Sequence, residues 1–186
     1  MAGGHAKAVI LNSGGANACT GQAGYDQSAA TAATVAELLG CTPDDVAVCS
    51  TGLIGELLPL DNVLAGAAAA HAALADTAQG GADAAHAIMT TDTKPKTVEI
   101  EGNGYRIGGM VKGSGMIAPQ LATMLCVITT DAVVTAGQMQ AALAVGVDTS
   151  FNRIDVDGCM STNDTVLLMA SGASGVEPDP DEFNAL

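Results

Sequence analysis

Aromatic side chains are almost absent from this chain of 186 residues: two Phe, two Tyr and no Trp, beside 23 Gly. Each aromatic buries about 150–250 Å², so the largest single contributions to a core are missing. Ala, Val, Leu, Ile and Met must supply nearly all of a hydrophobic set that makes up 48% of the residues. Either small residues pack closely across many elements, or the chain is part of something larger. Its length allows one domain, or one and a fragment, at roughly 100–200 residues per domain.

Charge narrows the partners. Twenty Asp and Glu face six Lys and Arg, a formal charge of −14 with a pI near 4.1. Nucleic-acid binding needs a basic stripe that displaces counterions from phosphates, and none is present, so no nucleic-acid partner is expected. Anionic membrane surfaces are disfavoured for the same reason, and no run of roughly 18 apolar residues suggests a membrane span. A positive mean hydropathy is the reverse of the signature of disordered chains. Cys19, Cys41, Cys49, Cys126 and Cys159 are odd in number and lack C-x-x-C spacing, which argues against a disulfide framework and a zinc site. Small thiols in a reducing compartment are expected. Met1 to Lys7 has no basic region followed by an apolar core, so no secretory leader is expected and the predicted location is cytoplasmic.

Hydrophobic patterning predicts a mixed α/β domain. Lys7 to Leu11 reads as a buried strand, Asn12 to Asn17 as a loop of turn formers, and Ala29 to Leu39 as a helix ended by Gly40. Val46 to Cys49 reads as a second strand stopping at Ser50-Thr51-Gly52, with helical stretches at Leu60 to Thr77 and Asp83 to Met89. Asn103-Gly104 favours a hairpin turn between strands at Thr97 to Ile100 and Tyr105 to Ile107, and Gly108 to Met116 reads as a glycine-dense connection. Strands are expected at Thr123 to Thr130 and Thr165 to Ala170, a helix at Gln138 to Val145, and a loose acidic tail around Glu177 to Asp181.

Most candidate motifs have a plain structural reading. The glycine-rich loop after Leu11 lacks both the Gly-Lys-Ser/Thr ending and the G-x-G-x-x-G spacing of phosphate loops, so a tight strand-to-helix connection is expected. His5, His71 and His86 have no Glu or second His at ligand spacing, and no metal site is expected. Asp155-Val156-Asp157-Gly158 has the outline of a calcium loop without its spacing or closing Glu, and reads as a turn. The sharper constellation is the run from Lys112 to Leu125, KGSGMIAPQLATML. It joins a lone cation, flexible glycines, a proline and a small residue directly before Thr123. A hydroxyl there can attack the preceding carbonyl, and hydrolysis of the resulting ester leaves a threonine whose free α-amine, with a reference pKa of about 7.7–8.0, activates its own hydroxyl. From the residues alone, this reading and an ordinary strand-opening Thr both stay open.

The run KGSGMIAPQLATMLCVITTDA, together with AVILNSGGANACTG, CSTGLIG, AIMTTDTKPK and DGCMSTNDTVLLMASG, resembles the ornithine acetyltransferase family, the glutamate N-acetyltransferases of the cyclic arginine pathway. The blocks occur in the family's order and cover nearly the whole chain. The resemblance implies an incomplete mixed-sheet α/β fold of the αββα type shared with self-processing aminopeptidases. It implies self-cleavage between Ala122 and Thr123, with Thr123 as nucleophile. Acetyl would pass from N-acetylornithine to glutamate through an acetyl-threonine ester, with Thr51 and Gly52 as the oxyanion hole and Thr90 and Lys112 contacting substrate. Thr91, adjacent to Thr90, is the alternative at that position. No cofactor is implied, and acetyl-CoA stays open as a further acetyl donor, which would add amino-acid N-acetyltransferase activity.

Relatives in that family begin before the AVIL strand and continue past Leu186, where they supply a substrate-contacting Glu and an Asn/Ser-or-Thr pair. The sequence is therefore expected to be an internal portion: residues 1–122 from the end of an α chain and 123–186 from the start of a β chain, forming one incomplete domain of an α2β2 assembly. The rival readings are an inert fragment with an incomplete pocket, a self-processing aminopeptidase of similar fold, and a cysteine enzyme built on Cys126 or Cys49.

Overall fold

A computed structural model describes residues 3–119, 121–122 (backbone only) and 124–186. Two compact units divide the chain between Thr90 and Thr91.

In the first unit β1 (Ala8–Ala16) leads through α1 (Gly21–Leu39) to β2 (Val46–Ile54), and the two strands pair in parallel. Two further helices follow, α2 (Leu60–Ala72) and α3 (Ala78–Ala87). Gly40 adopts the left-handed conformation (φ 65°) and its N–H caps the carbonyls of Ala36 and Glu37. That is how the predicted stop works. The core is made of small aliphatics: Ala32, Val35 and Ala36 of α1, Val46 of β2 and Ala67 of α2, with Ala8, Ile10, Cys41 and Val48 at its edge. Tyr25, the aromatic of this unit, is 70% exposed.

Both strands are longer than predicted. Asn12 to Ala16, expected as a loop, continues β1, and Ser50 to Ile54 continues β2 opposite it, with Gly14 against Gly52 and an irregularity at Gly15. Glycine has no side chain to show a burial period, so the extension is visible only once the two strands are in register. α1 likewise starts eight residues earlier than expected, at Gly21.

In the second unit β3 (Lys96–Glu101) and β4 (Arg106–Lys112) form the predicted hairpin, with Gly104 at φ 88°. Gly108 to Lys112, expected as a connection, belongs to β4. A two-residue hairpin follows, β5 (Ile117–Ala118) against β6 (Leu121–Ala122). β7 (Leu125–Thr130) pairs antiparallel with β4 and parallel with β8 (Thr165–Ala170). The sheet order β3-β4-β7-β8 is mixed, as the predicted α/β class requires. A parallel pair needs a crossover, and α4 (Ala136–Thr149) lies in it, opened by a capping box between Thr135 and Gln138. Tyr105 and Phe183 centre one cluster, their rings 6.0 Å apart. Ile117, Met124 and Cys126 centre another.

The acidic tail is not loose. Pro180–Ala185 forms α5, because Asp179 accepts hydrogen bonds from the N–H groups of Asp181 and Glu182 and Pro180 occupies the first turn. Phe183 anchors it, and Glu182 accepts the N–H of Asn103 at 2.8 Å.

Candidate active site

Thr51 and Gly52 lie near the C-terminal end of β2, inside the strand rather than in a turn beyond it. Thr51 is 2% exposed. Gly52 has φ 133°, and a Cβ there would stand 2.3 Å from the carbonyl carbon of Gly14 and 2.6 Å from the nitrogen of Gly15. Backbone meets backbone, so this position admits glycine only. The neighbouring connection is equally filled. Asn17 donates to the Gly24 carbonyl at 2.6 Å, accepts the Thr20 hydroxyl at 2.7 Å, and its N–H donates to the Ser50 hydroxyl at 2.8 Å. A Cβ on Gly24 would lie 1.8 Å from the Thr20 hydroxyl oxygen. Side-chain hydrogen bonds close this turn between β1 and α1. Thr90, the last residue of this unit, is exposed.

The second unit holds a buried charged cluster. Lys112, the last residue of β4, is 2% exposed and pairs with Leu125, two residues after Thr123. Burial pushes its ammonium below the ordinary lysine range. Asp92 and Asp164 oppose that shift, and Lys96 reinforces it. Asp92, itself buried, accepts hydrogen bonds from the Lys96 ammonium and from the Gly113 N–H at 2.8 Å. Lys96 also donates to the Gly113 carbonyl at 3.0 Å. Thr91 and Ser114 share a hydroxyl hydrogen bond of 2.6 Å, which ties Thr91 to the glycine segment after Lys112.

Two further carboxylates hold the ends of the segment between Lys112 and Leu125. Asp157 accepts the N–H of Met116 at 2.7 Å and of Ile117 at 3.1 Å. These bonds, the Met116 one foremost, hold its carboxyl below the usual range. They also fix Met116 at φ 57°, a left-handed conformation uncommon for a side-chain-bearing residue. The expected turn is present beside it, where Asp155 accepts the Gly158 N–H at 3.0 Å. Asp164 accepts the N–H of Met124 at 3.0 Å. Burial raises its carboxyl above the usual range, against the lowering influence of the Met124 amide, Ser161 and Lys112.

Asp92, Asp157 and Asp164 carry none of the roles expected from the sequence. All three lie in segments already singled out, TTDTKPK, the DVDG turn and STNDT. The available signal was a carboxylate beside a strand start or beside a lysine four residues on. Of the predicted residues, Thr51, Gly52 and Thr90 belong to the first unit and Lys112 to the second. Ala122 is described by its backbone, paired with Ile117, and Thr123 lies outside the described residues. The cysteine alternative loses ground: burial pushes the Cys126 thiol up to about 11, leaving little thiolate at neutral pH.

Comparison with known proteins settles the lineage. The ArgJ family model matches residues 1–186. The chain belongs to the ArgJ family. It is 82% identical over 187 residues to the arginine biosynthesis bifunctional protein ArgJ of Bifidobacterium longum, covering 100% of this chain and 48% of that protein. It is 56% identical over 187 residues to the ArgJ protein of Thermobifida fusca, again 48% of its length. The chain thus spans about half the length of these curated ArgJ relatives. Its fold is similar to the crystal structure of ornithine acetyltransferase complexed with ornithine from Mycobacterium tuberculosis, with TM-score 0.59 and 52% identity over 60% of this chain and 61% of that one. It is also similar to the ArgJ structure from Bacillus halodurans, with TM-score 0.53 and 42% identity over 60% of each chain. Among the described residues no helix is long and apolar enough to cross a membrane.

Proposed function

We propose that the protein is an acetyltransferase of arginine biosynthesis that moves acetyl from N-acetylornithine to glutamate through an ester on Thr123. The observation that carries this reading is the ArgJ family match over residues 1–186, which includes the whole Ala122–Thr123 segment. The buried Lys112 and the carboxylates gripping Met116, Ile117 and Met124 on either side of that segment support it.

Maturation begins when the Thr123 hydroxyl attacks the Ala122 carbonyl and the nitrogen departs, leaving an ester. Water then cleaves the ester, giving an Ala122 carboxylate and a Thr123 with a free amino group. Residues 1–122 and 123–186 thereby fall on separate chains, which assemble as α2β2 in the cytoplasm. In the transfer step the Thr123 hydroxyl attacks the acetyl carbonyl while its own amine takes the proton. Ornithine leaves with that proton, and the amine of glutamate then attacks the acetyl ester. Thr51, through its hydroxyl, and Gly52, through its N–H, stabilise the alkoxide in each half-reaction. Losing one such donor costs about 2.7–4 kcal/mol of transition-state stabilisation. Thr90 and Lys112 contact the substrate, with Lys112 supplying positive charge to a carboxylate. Acetyl-CoA as a second donor would give the bifunctional activity named for the relatives.

Mass spectrometry of the purified protein tests this reading. Two fragments with a new N-terminus at Thr123, absent in Thr123→Ala, support it. An intact species that persists on incubation, or cleavage that survives Thr123→Ala, overturns it. Acetyl transfer from acetyl-CoA to glutamate, measured beside transfer from N-acetylornithine, decides the second donor.

A further inference from the structure

Asp92 and Lys96 form an ion pair to which the functional reading gives no part. Lys96 opens β3, and Asp92, four residues before it, has a side chain only 1% exposed. A buried carboxylate is tolerated when its charge is paired and hydrogen-bonded, and here one oxygen meets both conditions. Oδ1 accepts the Lys96 ammonium and also the Gly113 N–H, the latter at 2.8 Å. Lys96 in turn donates to the Gly113 carbonyl at 3.0 Å. The pair therefore takes both backbone polar groups of Gly113, the residue directly after Lys112. β4 ends at Lys112, and beyond it these side-chain bonds stand where a strand ladder would. Thr91 adds a second tie, its hydroxyl oxygen 2.6 Å from that of Ser114.

We propose that Asp92 and Lys96 are positioning residues for Lys112, a paired clamp that fixes the backbone behind it and so holds its ammonium where a substrate carboxylate meets it. This rests on the reading above in which Lys112 contacts substrate. A lysine head rides on a flexible four-carbon stem, so it is aimed only as well as the backbone that carries it. Leu125 of β7 pairs with Lys112 from one side, and the clamp fixes the next residue along the chain. The charged groups that act on Lys112 are Asp92 and Lys96 from the β3 side and Asp164 from the segment before β8; Leu125 opposite it carries no charge. Burial pushes the Lys112 ammonium down foremost, Asp92 and Asp164 push it up, and Lys96 pushes it down. Asp92 and Lys96 thus act on Gly113 together but on Lys112 with opposite signs. That difference separates a positioning role from plain support of the fold.

The test uses the protein expressed at the length its gene encodes. Acetyl transfer from N-acetylornithine to glutamate is followed across pH in the wild type, Asp92→Asn, Lys96→Met and the double variant. Lys112 holds a carboxylate only while protonated, so 1/KM falls as pH rises through its folded pKa. In Asp92→Asn, KM at neutral pH should rise about tenfold or more, the scale of a lost hydrogen bond to a charged group. kcat should stay within about threefold, the mark of lost binding rather than lost chemistry. The alkaline limb of 1/KM should move to lower pH by about one unit, since an opposite charge has gone. Lys96→Met should also raise KM, but its limb should move to higher pH. The double variant should raise KM no further than either single one, because contacts made as a unit are not additive, and its limb should return toward the wild-type position. It decides the matter if a single variant does not fold by thermal melting, since removing both partners of a buried pair costs less than removing one. Limbs that stay in place or move in the same direction, or a wild-type KM in the double variant, overturn the proposal. If the wild type transfers no acetyl, or Lys112→Ala keeps the wild-type KM, the functional reading falls and takes this one with it. If the wild type transfers acetyl, Lys112→Ala loses binding and the clamp variants match the wild type, this inference alone falls.

Discussion

The two compact units solve the shortage of aromatics in opposite ways. The first excludes them from its core and brings Ala32, Ala36 and Ala67 together, so that its helices and strands approach closely. At Gly52 the approach is backbone on backbone. The second buries the Tyr105–Phe183 pair, packs Phe151 against its other cluster, and buries a lysine among carboxylates. A core of small residues has no slack, and tolerates deletion better than insertion. A core hung on a few large or charged groups behaves the other way round. The lesson concerns division of labour: the tight unit holds Gly52 backbone against backbone, and the second holds a buried lysine where β4 pairs with the start of β7.

That contrast makes graded predictions. The largest effect is expected at Lys112. Lys112→Ala removes a buried side chain whose charge Asp92 and Asp164 both feel, so the unfolding free energy should fall by about 2–5 kcal/mol, with acetyl transfer reduced at least a hundredfold. Chemical denaturation and a transfer assay check it, and a loss below 1 kcal/mol would remove the charged cluster from the comparison. Phe183→Ala should cost a similar or slightly smaller amount, about 3 kcal/mol, with α5 losing its amide protection in hydrogen exchange. In the first unit the damaging direction reverses. Ala36→Leu should cost about 1–3 kcal/mol through overpacking, whereas Ala36→Gly should cost only about 1 kcal/mol through helix propensity. Equal costs for the two would break the small-residue account of that core.

The smallest expected effect is one of pH. Asp157 has its carboxyl lowered by the amides it accepts, Met116 first. Its contribution is therefore fully present above the ordinary aspartate value and is lost as pH falls through its still lower folded value. Protection factors at Met116 and Ile117 should fall in that acid window and stay level between pH 5 and 8. Asp164 runs the other way, since its folded value is raised. The stability it gives as a neutral acid is present below the unfolded value and is lost as pH rises through the folded one. Asp164→Asn should flatten that part of the stability profile while leaving the Asp157 window intact.

Local chemistry was legible where one residue type dictates one conformation. Gly40 ends α1, Asn103-Gly104 turns the hairpin, and the apolar run Thr165 to Ala170 is a strand at its predicted limits. The errors share a cause. Asn12 to Ala16 and Ser50 to Ile54 extend into strand only because they pair with each other, and pairing register is not encoded within either segment. The tail was a different oversight: Asp179 before Pro180 is a helix-start signal, masked by the acidic composition around it. At the site, Lys112 stood out as a lone cation within a glycine-rich run. Its partners Asp92 and Asp164 did not, because a carboxylate acquires a role only when the sheet brings it to one.

The central claim is that Thr123 becomes a free N-terminal nucleophile that carries acetyl. The most direct measurement is peptide mass mapping of the purified protein after incubation with N-[14C]acetylornithine and without glutamate. The account predicts a peptide beginning at Thr123 that carries one labelled acetyl group and loses it when glutamate is added. An uncleaved Ala122–Thr123 bond, or label on any other residue, would contradict it.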